Sequence, residues 1–593
     1  MTPGPRSTIA APARGVSLAQ RASDYFGMSG TAEFIAAVAL FALLVVLSVL
    51  NMMHREFDSD EPQHLHLIWG WVRGFVQYRD LFDNHMPLFH IMFAPIVGLI
   101  GERATILYWM RFLLFPMYFL AAWCTYEIGT RLFSRRAGVW AVIGVAFFSG
   151  YYSDAFEFRT DNLWTPTWLL CVTVLIRGAI TVRRALVAGL LFGLCFGVSM
   201  KPMVFLLSLL VSVPLAIALV GRQKLGKSWA YLAQCAGAFL ATTVVIPGVI
   251  ISFFALKGIW RDFRYAVFDF NLLAARVYEG QIVYKSYPAL AFIIFAIALP
   301  IVVYVARRII NVTGDPGLAF RRVFIFLVCA SYLFTLQIFW PPISRTYPPI
   351  YPLACVLLSG ALLGLSDRLT QERRDFGEIL RWVPLPAFVV PIEFLFLFVD
   401  PHPFWKNDTK EEANLLRDVL ALTEPSDYVF DCKGETVFRQ RCFRPVLERI
   451  TMKAIGRGII VDNAPQLCVE RQTCVVATII GQRLSSQTRR FVERNYLPVA
   501  DNLRVAGAML KPSGSNPRHS DFQVVIPASY KIISRDGSVS GTLDGIPYEG
   551  ARFLAAGSHS FESASTINHG VLLWAQAVDR HFTPFSRHTS PDK

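Results

Sequence analysis

Charge is what this sequence has least of. Only 17% of its 593 residues are Asp, Glu, Lys or Arg, and 54% are hydrophobic. A soluble globular chain carries about a quarter charged residues, so the shortfall excludes an ordinary soluble protein and points to a chain that spends much of its length in lipid. The shortfall is also uneven. Long apolar runs fill residues 33–400, whereas 401–593 has ordinary composition, which predicts one membrane domain followed by one soluble domain. Other features are missing too. No cleavage pattern of a secretory signal precedes the first apolar run. Residues 1–32, polar and rich in Ala, Pro and Ser, with Arg6, Arg14 and Arg21, read as a disordered cytoplasmic tail before an uncleaved anchor. No CxxC pair occurs among the ten cysteines, which argues against a structural zinc site. No internal repeat is evident, unlike the repeats on which many transporters are built.

Six cysteines, Cys124, Cys171, Cys195, Cys235, Cys329 and Cys355, lie in apolar runs and read as small hydrophobic residues. Cys432, Cys442, Cys468 and Cys474 lie in the tail. Two disulfides, if the tail faces an oxidising compartment, or four free buried thiols both fit.

A membrane helix needs about 20 apolar residues. Eleven runs qualify as spans: 33–52, 104–133, 137–153, 163–180, 185–200, 203–221, 229–255, 287–306, 322–340, 347–365 and 382–400. The net charge of +14 is distributed as short basic clusters between them: Arg135-Arg136, Arg183-Arg184, Arg222 to Lys227, Arg307-Arg308, Arg321-Arg322 and Arg368 to Arg381. That is the pattern of cytoplasmic loops and not a groove for a polyanion, so nucleic acid is not an expected partner. With a cytoplasmic N-terminus, eleven crossings put every cluster inside. Residues 53–102, 154–162, 201–202, 257–286, 341–346 and the tail then lie outside. Counting 87–101 as a span would invert the later loops, so this Pro-containing segment reads as interfacial or re-entrant. Residues 62–77, amphipathic and Trp-rich, predict a helix along the membrane surface. Loop 257–286, with Trp260, Arg261, Arg264, Tyr265 and Tyr278, suits a substrate gate or a plain surface loop.

In the tail, helical spacing covers 408–422 and 485–495, and 428–432 and 473–480 read as strands. Alternation from about 520 predicts a small antiparallel sandwich. The expected division is an α/β part, 401–515, and a β-sandwich-like part, 520–593, serving acceptor binding or stability.

Chemistry-bearing residues gather on the predicted outer face. Asp58, Asp60 and Glu61 follow the first span; Asp58 reads as a solvated loop residue, and Asp60-Glu61 as functional. Glu157, Arg159 and Asp161 occupy another outer loop. Paired carboxylates suit general-base work or a divalent ion, and Arg159 suits a phosphate or a local salt bridge. Lys201 and Arg345 are basic residues on the face where the clusters predict few. A lysine there can simply snorkel, but a leaving phosphate gives both residues a shared purpose.

The order of these motifs resembles the GT-C glycosyltransferases of the protein-O-mannosyltransferase and aminoarabinose-transferase type. It runs from the Asp60-Glu61 pair through Gly74 to Asp83 (GFVQYRDLFD), His85-Met86-Pro87, Arg159-x-Asp161 and the Gly193, Gly197, Lys201 series to Arg345, Tyr347 and Pro352. The resemblance covers about residues 33–400 and implies an all-α polytopic catalytic domain. It implies inverting transfer from a polyprenyl-phosphate sugar to a hydroxyl of a glycan, lipid or protein, on the extracytoplasmic face of a bacterial plasma membrane. Carried over, Asp60 is the base or a metal-side carboxylate, and Glu61 and Asp161 orient the acceptor or a cation. Lys201, Arg345, Arg159, His85 and Tyr347 attend the donor phosphate, and a divalent metal at Asp60 and Asp161 stays open. Where many relatives have Lys-Pro-Pro, this chain has His85-Met86-Pro87. A lipid-substrate transporter or flippase, and a non-enzymatic scaffold, are the competing readings.

Overall fold

Long apolar runs leave the backbone no partner in lipid but itself, so they form helices. In the computed structural model, Thr31–His54, Ile106–Leu132, Pro202–Val220, Trp229–Leu256, Pro288–Val312, Pro316–Phe339 and Pro348–Gln371 are helices long and apolar enough to cross a membrane. The structure describes residues 17–339, 344–372, 380, 383–400, 402–513, 516–535, 537, 539–565 and 569–585. Helix Pro288–Val312 buries only Ala291 and Ala306 and exposes Phe292, Ile297 and Tyr304. A helix this apolar on its open face is stable against acyl chains and not against water. The chain is an integral membrane protein.

Four of the predicted spans fall on shorter helices: Arg135–Phe147, Asp161–Ile176, Val182–Val198 and Leu385–Val399, of 13, 16, 17 and 15 residues. At about 1.5 Å per residue these are roughly 20 to 26 Å long, against a hydrocarbon core of about 30 Å. Asp161–Ile176 and Val182–Val198 lie inside the bundle, against Ile106–Leu132 and Trp229–Thr243. Predicted positions 340–343, 382 and the middle of the last basic cluster lie outside the described residues.

Loops of the two predicted sets gather at opposite ends. At the basic end, Arg136 Nε donates to Glu33 Oε1 at 2.8 Å, Arg321 to Ile176 O at 3.2 Å and Arg322 to Leu132 O at 2.6 Å. At the other end the C-terminal domain docks. Arg55 pairs with Asp400 (3.0 Å), Arg439 with Glu102 (2.9 Å) and Arg444 with Asp262 (3.3 Å), and Asp408 N donates to His54 O (2.8 Å). Loop 257–286 lies between: Asn271 Nδ2 donates to Asn84 O at 2.8 Å, and the Lys453 ammonium sits 3.7 Å from the Tyr278 ring centre.

Several local expectations change. The expected tail up to residue 32 is not disordered where it is described. Leu18–Phe26 is a helix, capped by Ser17 and stopped by Gly27 at φ 68°; residues 1–16 lie outside the described residues. The predicted surface helix begins earlier, at Asp60–Val72, and is buried from Glu61 to Gly70. It is covered by the C-terminal domain, as when the His66 ring nitrogen Nδ1 meets Val437 O at 2.8 Å, and does not lie open on the bilayer. Leu88–Ile100 is one unbroken helix that starts after Pro87 and holds Pro95 inside it.

The C-terminal domain has its own core, where Leu415, Val419 and Leu422 of helix Lys410–Leu422 meet Val429, Phe430, Val475, Leu503 and Leu572. Its main sheet runs Arg552–Leu554, Ala528–Ser534, Gly570–Trp574, Leu503–Met509, Val475–Ala477, Tyr428–Phe430, Gln440–Arg441, with Tyr496–Ala500 also paired to Leu503–Met509. Only the last three strands of that path are mutually parallel. Because Gly570–Trp574 pairs with Leu503–Met509, one sheet runs through both expected halves, and the tail does not divide near 515–520. A smaller antiparallel sheet joins His519–Val524, Gly557–Ser563, Gly541–Leu543 and Ile546–Pro547. All four tail cysteines are free buried thiols, and Cys442 Sγ lies 3.5 Å from Cys468 Sγ.

Candidate active site

The site begins where the first long helix ends. Two short hydrogen bonds fold residues 58–61 into a helix start: Asp60 N donates to Asp58 Oδ1 and Asp58 N to Glu61 Oε1, each at 2.9 Å. Successive helical residues point about 100° apart, so Asp60 and Glu61 part company. Glu61 turns into the bundle. It takes Arg111 Nε at 2.8 Å, Arg111 NH2 at 2.5 Å and Phe158 N at 2.8 Å. With Asp58 N, these contacts occupy both carboxylate oxygens. Glu61, expected to orient acceptor or cation, is instead an anchor that ties three segments together.

Asp60 faces the opposite way, into a network centred on Arg159. This guanidinium, 6% exposed, pairs with Asp60 and reaches Asp58 Oδ1 at 3.0 Å, Glu157 Oε2 at 3.3 Å and Asp161 Oδ2 at 3.6 Å. Asp161 in turn takes Lys201 Nζ at 2.7 and 2.8 Å, and Trp164 Nε1 at 2.9 Å. Arg345 closes the far side, with Asp58 Oδ2 at 2.8 Å, Asp154 Oδ1 at 3.6 Å, and Glu157. Its turn is held by Tyr332, whose hydroxyl donates to Thr346 O at 2.6 Å.

The glycine series explains how Lys201 arrives. A Cβ on Gly189 would lie 2.2 Å from Phe239 O, on Gly193 2.7 Å from Thr243 O, and on Gly197 2.8 Å from Leu88 Cδ2. Only glycine lets helix Val182–Val198 approach its neighbours this closely. The chain then leaves that helix beside Asp161.

Asp60, Arg159, Asp161, Lys201 and Arg345 therefore converge. Among the described residues no hydrogen bond or ion pair ties His85 or Tyr347 to them, although His85 lies near enough to Asp60 and Lys201 to feel their charge. The His85 ring nitrogen Nδ1 is 2.9 Å from Asp83 Oδ1, and Asp83 also accepts from Gln63 at 3.2 Å and Gln77 at 3.1 Å. The Tyr347 hydroxyl accepts from Gln337 at 2.7 Å. Four participants went unread or underrated. Asp58, expected to be merely solvated, carries both arginines. Glu157 joins the same two. Arg111 is a lone charge in an apolar run, a signal in itself. Lys433, from the C-terminal domain, pairs with Asp60; its one sequence signal is its place just past the end of a buried parallel strand, where α/β sheets present ligand loops.

The two sides of the network titrate in opposite directions. Burial raises the Asp60 carboxyl, but Arg159, then Lys433 and His64, outweigh it and hold it well below the ordinary carboxylate value. Glu157 is pushed up to about 8 by burial, which outweighs Arg345 and Arg159 and is reinforced by Asp58 and Asp154. The network thus pushes the two carboxyls apart, Asp60 toward the ionised form and Glu157 toward the protonated one. Asp60 and Asp161, considered above for a divalent ion, are separated by Arg159 and each already holds a cation. Among the described residues no group of three or more His, Cys, Asp or Glu is placed to hold a metal. The donor set does not fit one.

A family model described as dolichyl-phosphate-mannose-protein mannosyltransferase matches residues 84–248, the stretch that holds Glu157, Arg159, Asp161 and Lys201. Among curated proteins, none matches the chain. Among solved structures, apo ArnT from Cupriavidus metallidurans aligns with a TM-score of 0.50 and 11% identity, over 79% of this chain and 97% of that chain. The same protein bound to undecaprenyl phosphate aligns with a TM-score of 0.52 and 12% identity over the same shares, 79% and 97%. At such identity the likeness is one of fold. The partial family match and the shared fold agree with the resemblance carried by the motifs.

Proposed function

We propose that this protein moves a sugar from a polyprenyl-phosphate donor to a hydroxyl acceptor, with inversion, at the end of the bundle where the C-terminal domain docks. One observation carries the reading. Asp60, Arg159, Asp161, Lys201 and Arg345, spread over almost 300 residues, form one largely buried ion network there. The acceptor oxygen attacks the anomeric carbon and its proton passes to a carboxylate. The bond from that carbon to the phosphate oxygen breaks, and the electron pair stays on the lipid phosphate. Arg159, Lys201 and Arg345 supply the fixed positive charge that this leaving group needs, in a place where water is scarce. Asp60 is ionised and is the proton acceptor. The cations that depress its basicity are the ones a donor phosphate attracts, so donor binding prepares it. Asp161 positions Lys201.

The network lies at the end opposite the basic clusters. The positive-inside rule supports reading this end as the extracytoplasmic, periplasmic side of a bacterial plasma membrane. Glycans, lipids and proteins all offer suitable hydroxyls, and nothing in the site favours a flippase. The test incubates purified protein with labelled polyprenyl-phosphate sugar and an acceptor pool. Release of polyprenyl phosphate by the wild type and its loss in Asp60→Asn are expected. A wild type that releases none with any acceptor refutes the reading. A reporter fused after Lys593 should be active only outside the cytoplasm.

A further inference from the structure

We propose that Lys433 is a ligand of the donor phosphate, so that the C-terminal domain completes an active site built mainly by the membrane domain. This deepens the function proposed above and rests on it.

Lys433 is far from an incidental surface lysine. Its side chain is 5% exposed; its ammonium pairs with Asp60 and lies 3.3 Å from Ser59 Oγ. Asp60 already carries Arg159 on its other oxygen. Arg159 is shared with Asp58, Glu157 and Asp161, whereas Asp60 is the carboxylate that Lys433 pairs with among the described residues, so Lys433 is the cation held beside the group that takes the proton.

The turn that presents Lys433 is built for its place. Asp431 Oδ1 accepts from Gly434 N at 2.8 Å and from Arg441 Nε at 2.6 Å, and its Oδ2 accepts from Thr436 Oγ1 at 2.7 Å. Lys433 N donates to Glu435 Oε2 at 2.7 Å. Gly434 has φ +92°, and a Cβ there would lie 3.0 Å from His66 Cβ and 3.4 Å from Gln63 Cα. Glycine thus serves twice, for the left-handed backbone and for the close approach that presses the turn onto helix Asp60–Val72.

His85 does not pair with Asp60: its Nδ1 is bound to Asp83 at 2.9 Å, and its charge acts on Asp60 only through space. Lys433 is the cation that reaches Asp60 from the side away from Arg159. An ammonium on a flexible stem exchanges one oxygen partner for another readily. On donor binding Lys433 passes from Asp60 to a phosphate oxygen, and Asp60, relieved of one cation, becomes the stronger base. No bond other than those of the transfer itself is made or broken.

The experiment uses the full-length protein in lipid nanodiscs and measures binding of polyprenyl phosphate alone, then donor kinetics, for wild type, Lys433→Ala, Lys433→Met and Lys433→Arg. Loss of a charge-assisted phosphate contact should weaken binding and raise the donor KM about 10-fold or more in Lys433→Ala and Lys433→Met, and Lys433→Arg should recover most of it. The acid limb of the rate profile should also move to higher pH in Lys433→Ala, because Asp60 loses a depressing cation; a merely structural lysine would leave it in place. Thermal unfolding of each variant identifies any that misfold, and Lys433→Met retains the bulk of the stem. Binding and KM unchanged in folded variants, with a wild type that binds and turns over, overturn the role of Lys433 and leave the transferase standing. A wild type that neither binds polyprenyl phosphate nor releases it overturns both.

Discussion

The two ends of the helix bundle use the same residue types in different ways. At the basic end each arginine is spent locally: Arg321 and Arg322 cap helix ends through Ile176 O and Leu132 O, and Arg136 meets Glu33 and Asp367. At the other end Arg159 is shared among Asp58, Asp60, Glu157 and Asp161, and Arg345 among Asp58, Asp154 and Glu157. A cation bound to backbone carbonyls, as Arg321 and Arg322 are, finishes a helix. A cation shared by several buried carboxylates is held where charge can be redistributed, as a reaction that releases a phosphate requires.

Substitutions at the two ends should therefore differ in kind. The largest effect is expected for Asp60→Asn, which removes the proton acceptor and keeps the shape; transfer by the folded fraction should fall about 1,000-fold, read as polyprenyl phosphate release, with a lower Tm as well because Arg159 and Lys433 lose a buried partner. Lys201→Ala and Arg345→Ala should each cost about 100-fold in kcat/KM, the scale for loss of one fixed charge at a developing anion. Retention of full rate by either would detach it from the site. Glu61→Gln should act on stability and not on chemistry. Breaking its buried pair with Arg111 costs about 3–5 kcal/mol, seen as a lower Tm, while the folded fraction keeps its specific activity.

Glu157→Gln sharpens the comparison through pH. The folded-state pKa of Glu157, about 8, lies above its ordinary 4.5. Its contribution to stability is complete below the unfolded value and is lost progressively as pH rises from about 4.5 to about 8. Gln imitates the protonated form, so the Tm of the wild type should fall across that window relative to Glu157→Gln; parallel curves would contradict the shift. The smallest effect belongs to the basic end: Arg321→Ala should leave transfer within about 2-fold, because its partners are the carbonyls of Gly317 and Ile176 at the end away from the network.

How legible all this was depended on how local the signal is. Each of the eleven apolar runs falls on a helix, because hydrophobic length is a property of the run itself. Four of those helices are short, two of them, Asp161–Ile176 and Val182–Val198, inside the bundle, and a run says nothing about how many residues such a position needs. Asp60, Arg159, Asp161, Lys201 and Arg345 stood out because charges at a lipid boundary, or basic residues on the face with few, call for a partner. Glu61 parts from Asp60 and meets Arg111, since adjacency in sequence is divergence on a helix. Asp58 was underrated because a solvated loop and a network member look alike until Arg345, 287 positions away, is brought to it. Lys433 carried one weak signal, its place just past a strand, and its pairing with Asp60 depends on how a separate domain docks.

The most direct test is an experimental structure of this protein with polyprenyl phosphate bound. The account predicts the phosphate among Arg159, Lys201 and Lys433, within hydrogen-bonding distance of at least two of them, with the lipid chain running out between the helices. A phosphate bound instead among Arg135, Arg321 and Arg322 at the opposite end would contradict it.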